Sequence, residues 1–113
     1  MTSSAVDNLS RLGITLPNAP APAANYVPYV IAGNMVFVSG QLPLVEGKLS
    51  VTGHVGKDVT TEQAAKQARQ CAINLLAQLN SACGGDLGRV KQVVKLGGFV
   101  ACADSFTDQP EVI

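Results

Sequence analysis

The chain has no tryptophan, one histidine and five other aromatic residues: Tyr26, Tyr29, Phe37, Phe99 and Phe106. None of these aromatics alternates with Lys or Arg, and eight basic residues balance eight acidic ones. A nucleic-acid interface needs a basic stripe, usually with stacking rings, so nucleic acid is not an expected partner. Three cysteines, Cys71, Cys83 and Cys102, form an odd set without Cys-x-x-Cys spacing. That pattern excludes a disulfide framework and suits free thiols in a reducing compartment. One histidine among scattered cysteines does not make a metal-ligand set, so no metal is expected. No apolar run approaches the roughly 20 residues that span a bilayer. The start Met-Thr-Ser-Ser lacks the basic and apolar regions of a signal peptide. A cytoplasmic protein with no membrane partner is the expectation. Charged residues are also scarce, 14% against 47% hydrophobic. So little charge cannot cover a lone surface, and some apolar surface is expected to meet partner subunits.

What is present argues for one domain with a modest core. Residues 1–12 read as a short helix, with Ser4 as N-cap and Asp7 in the first turn, or equally as a frayed terminal turn. Pro17, Pro20 and Pro22 among alanines make residues 13–25 an ordered extended arm. Tyr26 to Ala32 reads as a strand that Pro28 confines to an edge or a start. Gly33-Asn34 turns the chain into Met35–Val38, a continuously apolar run expected to be buried on both faces. Glu46-Gly47 is a second turn, Lys48–Val51 a candidate third strand, and Gly53–Asp58 a loop.

The strongest element is a helix from Thr61 to about Cys83. Thr60 with Gln63 three residues on is a capping box. Ala64, Ala68, Cys71, Ala72, Leu75, Leu76 and Leu79 recur at steps of three and four and form its apolar face. Lys66, Arg69, Gln70, Asn74 and Gln78 fill the polar remainder. Gly84-Gly85 ends it, and Asp86 caps a short turn over Leu87–Arg89. Valine-rich Val90–Ala101 reads as a core strand, in which Gly97-Gly98 marks a bulge or a close approach. Ser105, Thr107 or Asp108 caps a last short helix with Pro110 in its first turn. Strands followed by a covering helix predict an α+β fold, with helices on one sheet face.

The string Gly33-Asn34-Met35-Val36-Phe37-Val38-Ser39-Gly40-Gln41-Leu42-Pro43 resembles the hairpin signature of the RidA family, also called YjgF-type or L-PSP endoribonuclease-like proteins. Tyr26, Asn74-Leu75-Leu76 and the run Val93–Val100 followed by Asp104 and Phe106 fall at matching intervals. The resemblance covers about residues 25–113, which leaves 1–24 as a short helix and arm. The lead-in to Tyr26 and the Gly97-Gly98 pair look like a divergent subgroup.

The resemblance implies a chorismate-mutase-like fold, a homotrimer built through the sheets, and clefts between subunits. It implies hydrolysis of enamines or imines to a 2-keto acid and ammonia without a cofactor. The substrate would be a small carboxylate-bearing molecule, gripped by an arginine fork. Tyr26 matches the family's pocket tyrosine; as a residue by itself it reads equally as a strand-edge aromatic with a wet hydroxyl. Ser39 matches the pocket serine, or else is a strand-end hydroxyl bonded to its own backbone. Gly40, Gln41, Gly97 and Gly98 are the expected substrate contacts. The family's asparagine falls at Pro110, which cannot donate a hydrogen bond. Its carboxylate-binding arginine falls past Ile113, so the chain is expected to stop short of the full fold. Arg69 and Arg89 do not match that arginine. A trimeric small-ligand binder without hydrolysis, and the family's older ribonuclease label, are the rival readings.

His54 in its glycine-rich loop could serve as a base, but a lone loop histidine is more often simply exposed. Cys71 reads as a small hydrophobe. Cys102 ends a strand with no neighbour in sequence that would lower its pKa. Gly53-x-x-Gly56 is too short for a phosphate loop.

Overall fold

The computed structural model describes residues 4–113. Residues 1–3 of the predicted first helix lie outside the described residues. In chain order the elements are α1 (Ser4–Arg11), β1 (Tyr29–Ala32), β2 (Met35–Val38), α2 (Thr61–Ala82), a 3-10 turn (Leu87–Arg89) and α3 (Gln109–Val112). The architecture is α+β: an antiparallel hairpin carries α2 across one of its faces. Ser4 lies inside α1 and not at its cap.

The hairpin pairs Tyr29 with Val38, Val30 with Phe37, Ile31 with Val36 and Ala32 with Met35. Its ladder starts at Tyr29 and not at the predicted Tyr26. Pro28 has no N–H to give, and only its carbonyl takes part, accepting the Ser39 N–H at 2.9 Å. Side chains alternate across the hairpin. Tyr29 and Val38 face α2, while Val30, Phe37 and Met35 face outward and are exposed. The expectation of burial on both faces is therefore wrong for β2: Phe37 is 58% exposed. A helix lies over only one side of the hairpin.

At α2 the capping box is fully formed. Thr60 Oγ1 accepts from the Gln63 N–H, and Gln63 Oε1 accepts from the Thr60 N–H. At the other end Gly84 adopts φ +66, and its N–H bonds the Ser81 carbonyl. Asp86 caps the following turn, accepting from the Gly88 N–H at 2.9 Å. Two side chains assigned to the polar remainder of α2 turn out to be its most deeply buried, Asn74 and Gln78. Ala72, assigned to the apolar face, is exposed.

The core sits under the first half of α2. Val55, Val59, Ala64 and Val112 are buried together, with Val51, Val100 and Phe106 packed around them. Val55 lies in the predicted loop yet bridges Cys102: its N–H bonds the Ala101 carbonyl and its carbonyl accepts the Ala103 N–H, both at 2.9 Å. Gly56, at φ +88, lies against the Phe106 ring, so a side chain there would meet both backbone strain and the ring.

Two predicted strands do not form. Lys48 bridges only Val45 across the Glu46-Gly47 turn, and Leu49–Val51 joins no ladder. Val90–Ala101 is likewise outside any ladder, its end tied only through Ala101 to Val55. A strand exists only where a neighbouring backbone completes its hydrogen bonds, and among the described residues none forms such a ladder with either segment. Phe99 stands fully exposed as a result. The radius of gyration, 15.1 Å, exceeds the roughly 13 Å of a well-packed domain this long.

Candidate functional site

The candidate site gathers where the arm, the end of β2 and the middle of α2 meet. Three irregular pieces of chain converge because each gives a carbonyl to a side chain. Ser39, just past β2, donates its Oγ–H to the Val27 carbonyl at 2.6 Å. This draws the end of the hairpin against the residue next to Tyr26. Gln41 folds back, its Nε2 donating to the Ser39 carbonyl at 3.0 Å. On the other side, Asn74 Nδ2 donates to the carbonyls of Leu42 and Leu44, each at 3.0 Å. Gln78 Nε2 donates to the Pro20 carbonyl at 2.7 Å.

Between these pieces lies a recess of about 10 Å³, lined by the Pro20–Ala23 stretch, Tyr26, Gly40, Gln41, Leu42 and Gln78. That volume holds about one water. The Tyr26 hydroxyl accepts from the Ala23 N–H at 3.3 Å, which leaves its own proton available to donate. Ser39 is the reverse case. Its proton is committed to Val27, which leaves oxygen lone pairs to accept. The Tyr26 hydroxyl thus offers a donor in the recess lining, and the Ser39 hydroxyl an acceptor one residue before the lining Gly40.

Of the residues singled out in the sequence, Tyr26, Gly40 and Gln41 line the recess; Ser39 does not, although it directly precedes Gly40 in the chain. Gly97 and Gly98 do not line it; they lie on the unpaired 90–101 segment. Gly98 does sit at a close approach, since a methyl group there would collide with the Ile113 side chain. Pro110 is exposed at the start of α3. His54 Nδ1 lies 3.9 Å from Asp58 Oδ2, and both side chains are largely exposed, a pair of little energetic weight. Burial raises the Cys71 thiol above its ordinary pKa, partly offset by a backbone hydrogen bond. Cys102 Sγ accepts from Gln109 Nε2 at 3.5 Å. Among the described residues no three His, Cys, Asp or Glu side chains come together as a metal site. No helix among them is long and apolar enough to cross a membrane. Sequence reasoning missed Pro20, Asn74 and Gln78 as parts of the site. The signal available was the Gln70-Asn74-Gln78 spacing of four, which puts three carboxamides in one row on α2.

An α+β sheet of this kind, with a tyrosine and a Ser-Gly-Gln corner beside a covering helix, defines a recognisable class. A family model described as "YjgF/chorismate_mutase-like, putative endoribonuclease" matches residues 7–113, and the chain belongs to that family. The match extends beyond the hairpin and α2 to include the arm and most of α1. Protein TCP17 of Trypanosoma cruzi is 49% identical over 105 residues, which are 93% of this chain and 65% of that protein. The crystal structure of Atu1372 from Agrobacterium tumefaciens, a protein with unknown function, is 49% identical with a TM-score of 0.85. The match covers 94% of this chain and 64% of that one. A putative endoribonuclease from Shewanella oneidensis MR-1 is 36% identical with a TM-score of 0.89, covering 95% and 70% of the two chains. The chain thus spans about two thirds of the length of these relatives.

Proposed function

We propose that the protein hydrolyses enamine or imine intermediates to a 2-keto acid and ammonia, in a cleft completed by neighbouring subunits of a homotrimer. Water adds to the C=N carbon, the C–N bond breaks, and the nitrogen leaves as ammonia. The observation that carries this reading is the free proton of Tyr26 in the recess lining, with the Ser39 hydroxyl one residue before the lining Gly40. Tyr26 donates a hydrogen bond to the substrate nitrogen or to water, Ser39 accepts a hydrogen bond from water, and both protons of the attacking water end on the departing nitrogen. The exposed apolar outer face of the hairpin, Val30, Met35 and Phe37, supplies a surface for the subunit contact.

Arg11, Arg69 and Arg89 do not line the recess. The reading therefore calls for a carboxylate-binding cation from outside it. The test is keto-acid release from 2-aminoacrylate generated by a pyridoxal-phosphate enzyme, with the full chain at micromolar concentration. Acceleration that Tyr26→Phe reduces at least tenfold is expected. No acceleration over the uncatalysed rate would remove the hydrolase.

The small recess and Pro110 favour a second reading, a trimeric binder of small carboxylates without turnover. Saturable binding of a 2-keto acid together with absent hydrolysis would favour it. The word endoribonuclease attached to the Shewanella relative raises RNA cleavage as a third reading. Zero net charge and sparse aromatics speak against it, and an RNA-cleavage assay across salt concentrations decides.

A further inference from the structure

Polar side chains on the outer side of an amphipathic helix ordinarily meet water. On α2 two of them do the opposite. Asn74 and Gln78 are 1% and 2% exposed, the two most buried large side chains among the described residues. Burying a carboxamide is unfavourable unless its donors and acceptor are bonded. Here no buried side-chain polar atom is left without a partner. Gln70 Nε2 donates to Asn74 Oδ1 at 3.2 Å, fixing which way the Asn74 amide points. The Asn74 Nδ2 group then reaches both Leu42 and Leu44, and one helical turn on Gln78 reaches Pro20.

The acceptors belong to segments that cannot hold themselves. The arm around Pro20 lies in no ladder, and its prolines have no N–H to offer one. Residues 41–44 are also irregular, with one short backbone bond from the Leu44 N–H to the Leu42 carbonyl. Both segments contribute walls of the recess, and Gln78 is itself part of its lining. An apolar row on α2 would bury as well but would not fix either wall at a set distance, because dispersion contacts have no direction.

We propose that Asn74 and Gln78, braced by Gln70, are positioning residues that set the two walls of the recess, and that the Gln78–Pro20 tie limits the size of substrate side chain admitted beside Tyr26. This rests on the hydrolase reading for its substrate class, but the wall positioning itself does not. Loss of the Gln78 tie frees the arm to swing out and widens the recess. Loss of the Asn74 ties loosens the other wall, which carries Gln41 and Leu42.

The test uses the full chain and two independent readouts on Gln78→Met, which keeps length and loses the donor. Asn74→Leu serves as the complementary variant and Lys66→Met, at an exposed α2 position, as control. The first readout is amide exchange without substrate. In Gln78→Met the Ala23 amide should exchange at least tenfold faster with Leu44 unchanged; in Asn74→Leu the order reverses; the control should match wild type. The second is turnover of a leucine-sized against an alanine-sized imino acid. Gln78→Met should raise the relative kcat/KM for the larger substrate at least fivefold, through KM. Unchanged Ala23 exchange in a folded Gln78→Met protein overturns the positioning role. An unchanged size ratio overturns the size limit. If wild type turns over neither substrate, the hydrolase reading fails while the exchange result still decides whether these side chains hold the walls.

Discussion

Two valine-bearing stretches of this chain meet opposite fates. Val55 and Val59 are 6% and 7% exposed, sealed under α2 with Ala64 and Val112. Val93 and Val94, in a more continuously apolar segment, are 66% and 69% exposed. Side-chain hydrophobicity does not separate them. Val55 has a partner backbone, exchanging hydrogen bonds with Ala101 and Ala103. Val93 and Val94 have no ladder and no helix laid over them. Burial of an apolar strand requires its backbone groups to be satisfied first, so pairing decides where the core forms.

The largest effect that tests this contrast is a matched pair of carboxylates. Val55→Asp places an unpaired charge in the sealed cluster and should cost at least about 3 kcal/mol, enough to unfold much of the protein. Val94→Asp in the free chain should change stability by no more than about 0.5 kcal/mol. Urea titration of both variants measures it. The contrast breaks if Val94→Asp is as damaging as Val55→Asp. If Val94→Asp lowers the oligomeric state instead, seen by light scattering, the exposed segment is covered in the assembly proposed above.

A middle-sized effect separates the sealed half from α2 itself. The first turn of α2 carries Ala64 into the cluster, and its start is held by the reciprocal Thr60–Gln63 bonds. Thr60→Ala removes the acceptor for the Gln63 N–H and should cost about 1 kcal/mol, or a few degrees in Tm. The same amide-exchange experiment should show faster opening near Ala64 and no change in the hairpin. Equal loosening of both regions would mean that α2 and the hairpin open as one unit, contrary to the division drawn here.

What could be read in advance follows the same division between local and distant causes. The Gly33-Asn34 turn, the capping box, the Gly84-Gly85 stop and the Asp86 cap all formed as expected, because each is chemistry among residues a few positions apart. The strands at 48–51 and 90–101 were misjudged, because a ladder depends on a partner that no local pattern reveals. Asn74 and Gln78 were misplaced for a related reason. A helical wheel separates polar from apolar, but it cannot show that backbone carbonyls from residues 32 and 58 positions away lie waiting for their amides. Gly40 and Gln41 stand in the family string and Tyr26 at a matching interval, and all three line the recess, whereas the arm that walls the recess carried only the proline signal of an extended segment.

The smallest expected effect probes α2 between the two regions. Cys71 is half-buried on the helix, and desolvation raises its thiol pKa, with a backbone hydrogen bond opposing more weakly. Raised folded-state affinity for the proton means that folding favours the neutral thiol. Its contribution is fully present below the unfolded thiol pKa. Above about pH 9 the unfolded chain loses the proton first, so the folded state binds more protons and stability falls as pH rises. Cys71→Ala removes this dependence and leaves the other alkaline titrations in place. The difference in urea midpoint between wild type and Cys71→Ala should therefore shift against wild type between pH 7.5 and pH 10. A difference that stays constant over that range would place Cys71 in water as freely as the valines of the exposed segment, and the helix would then belong to the open half of the molecule at that turn.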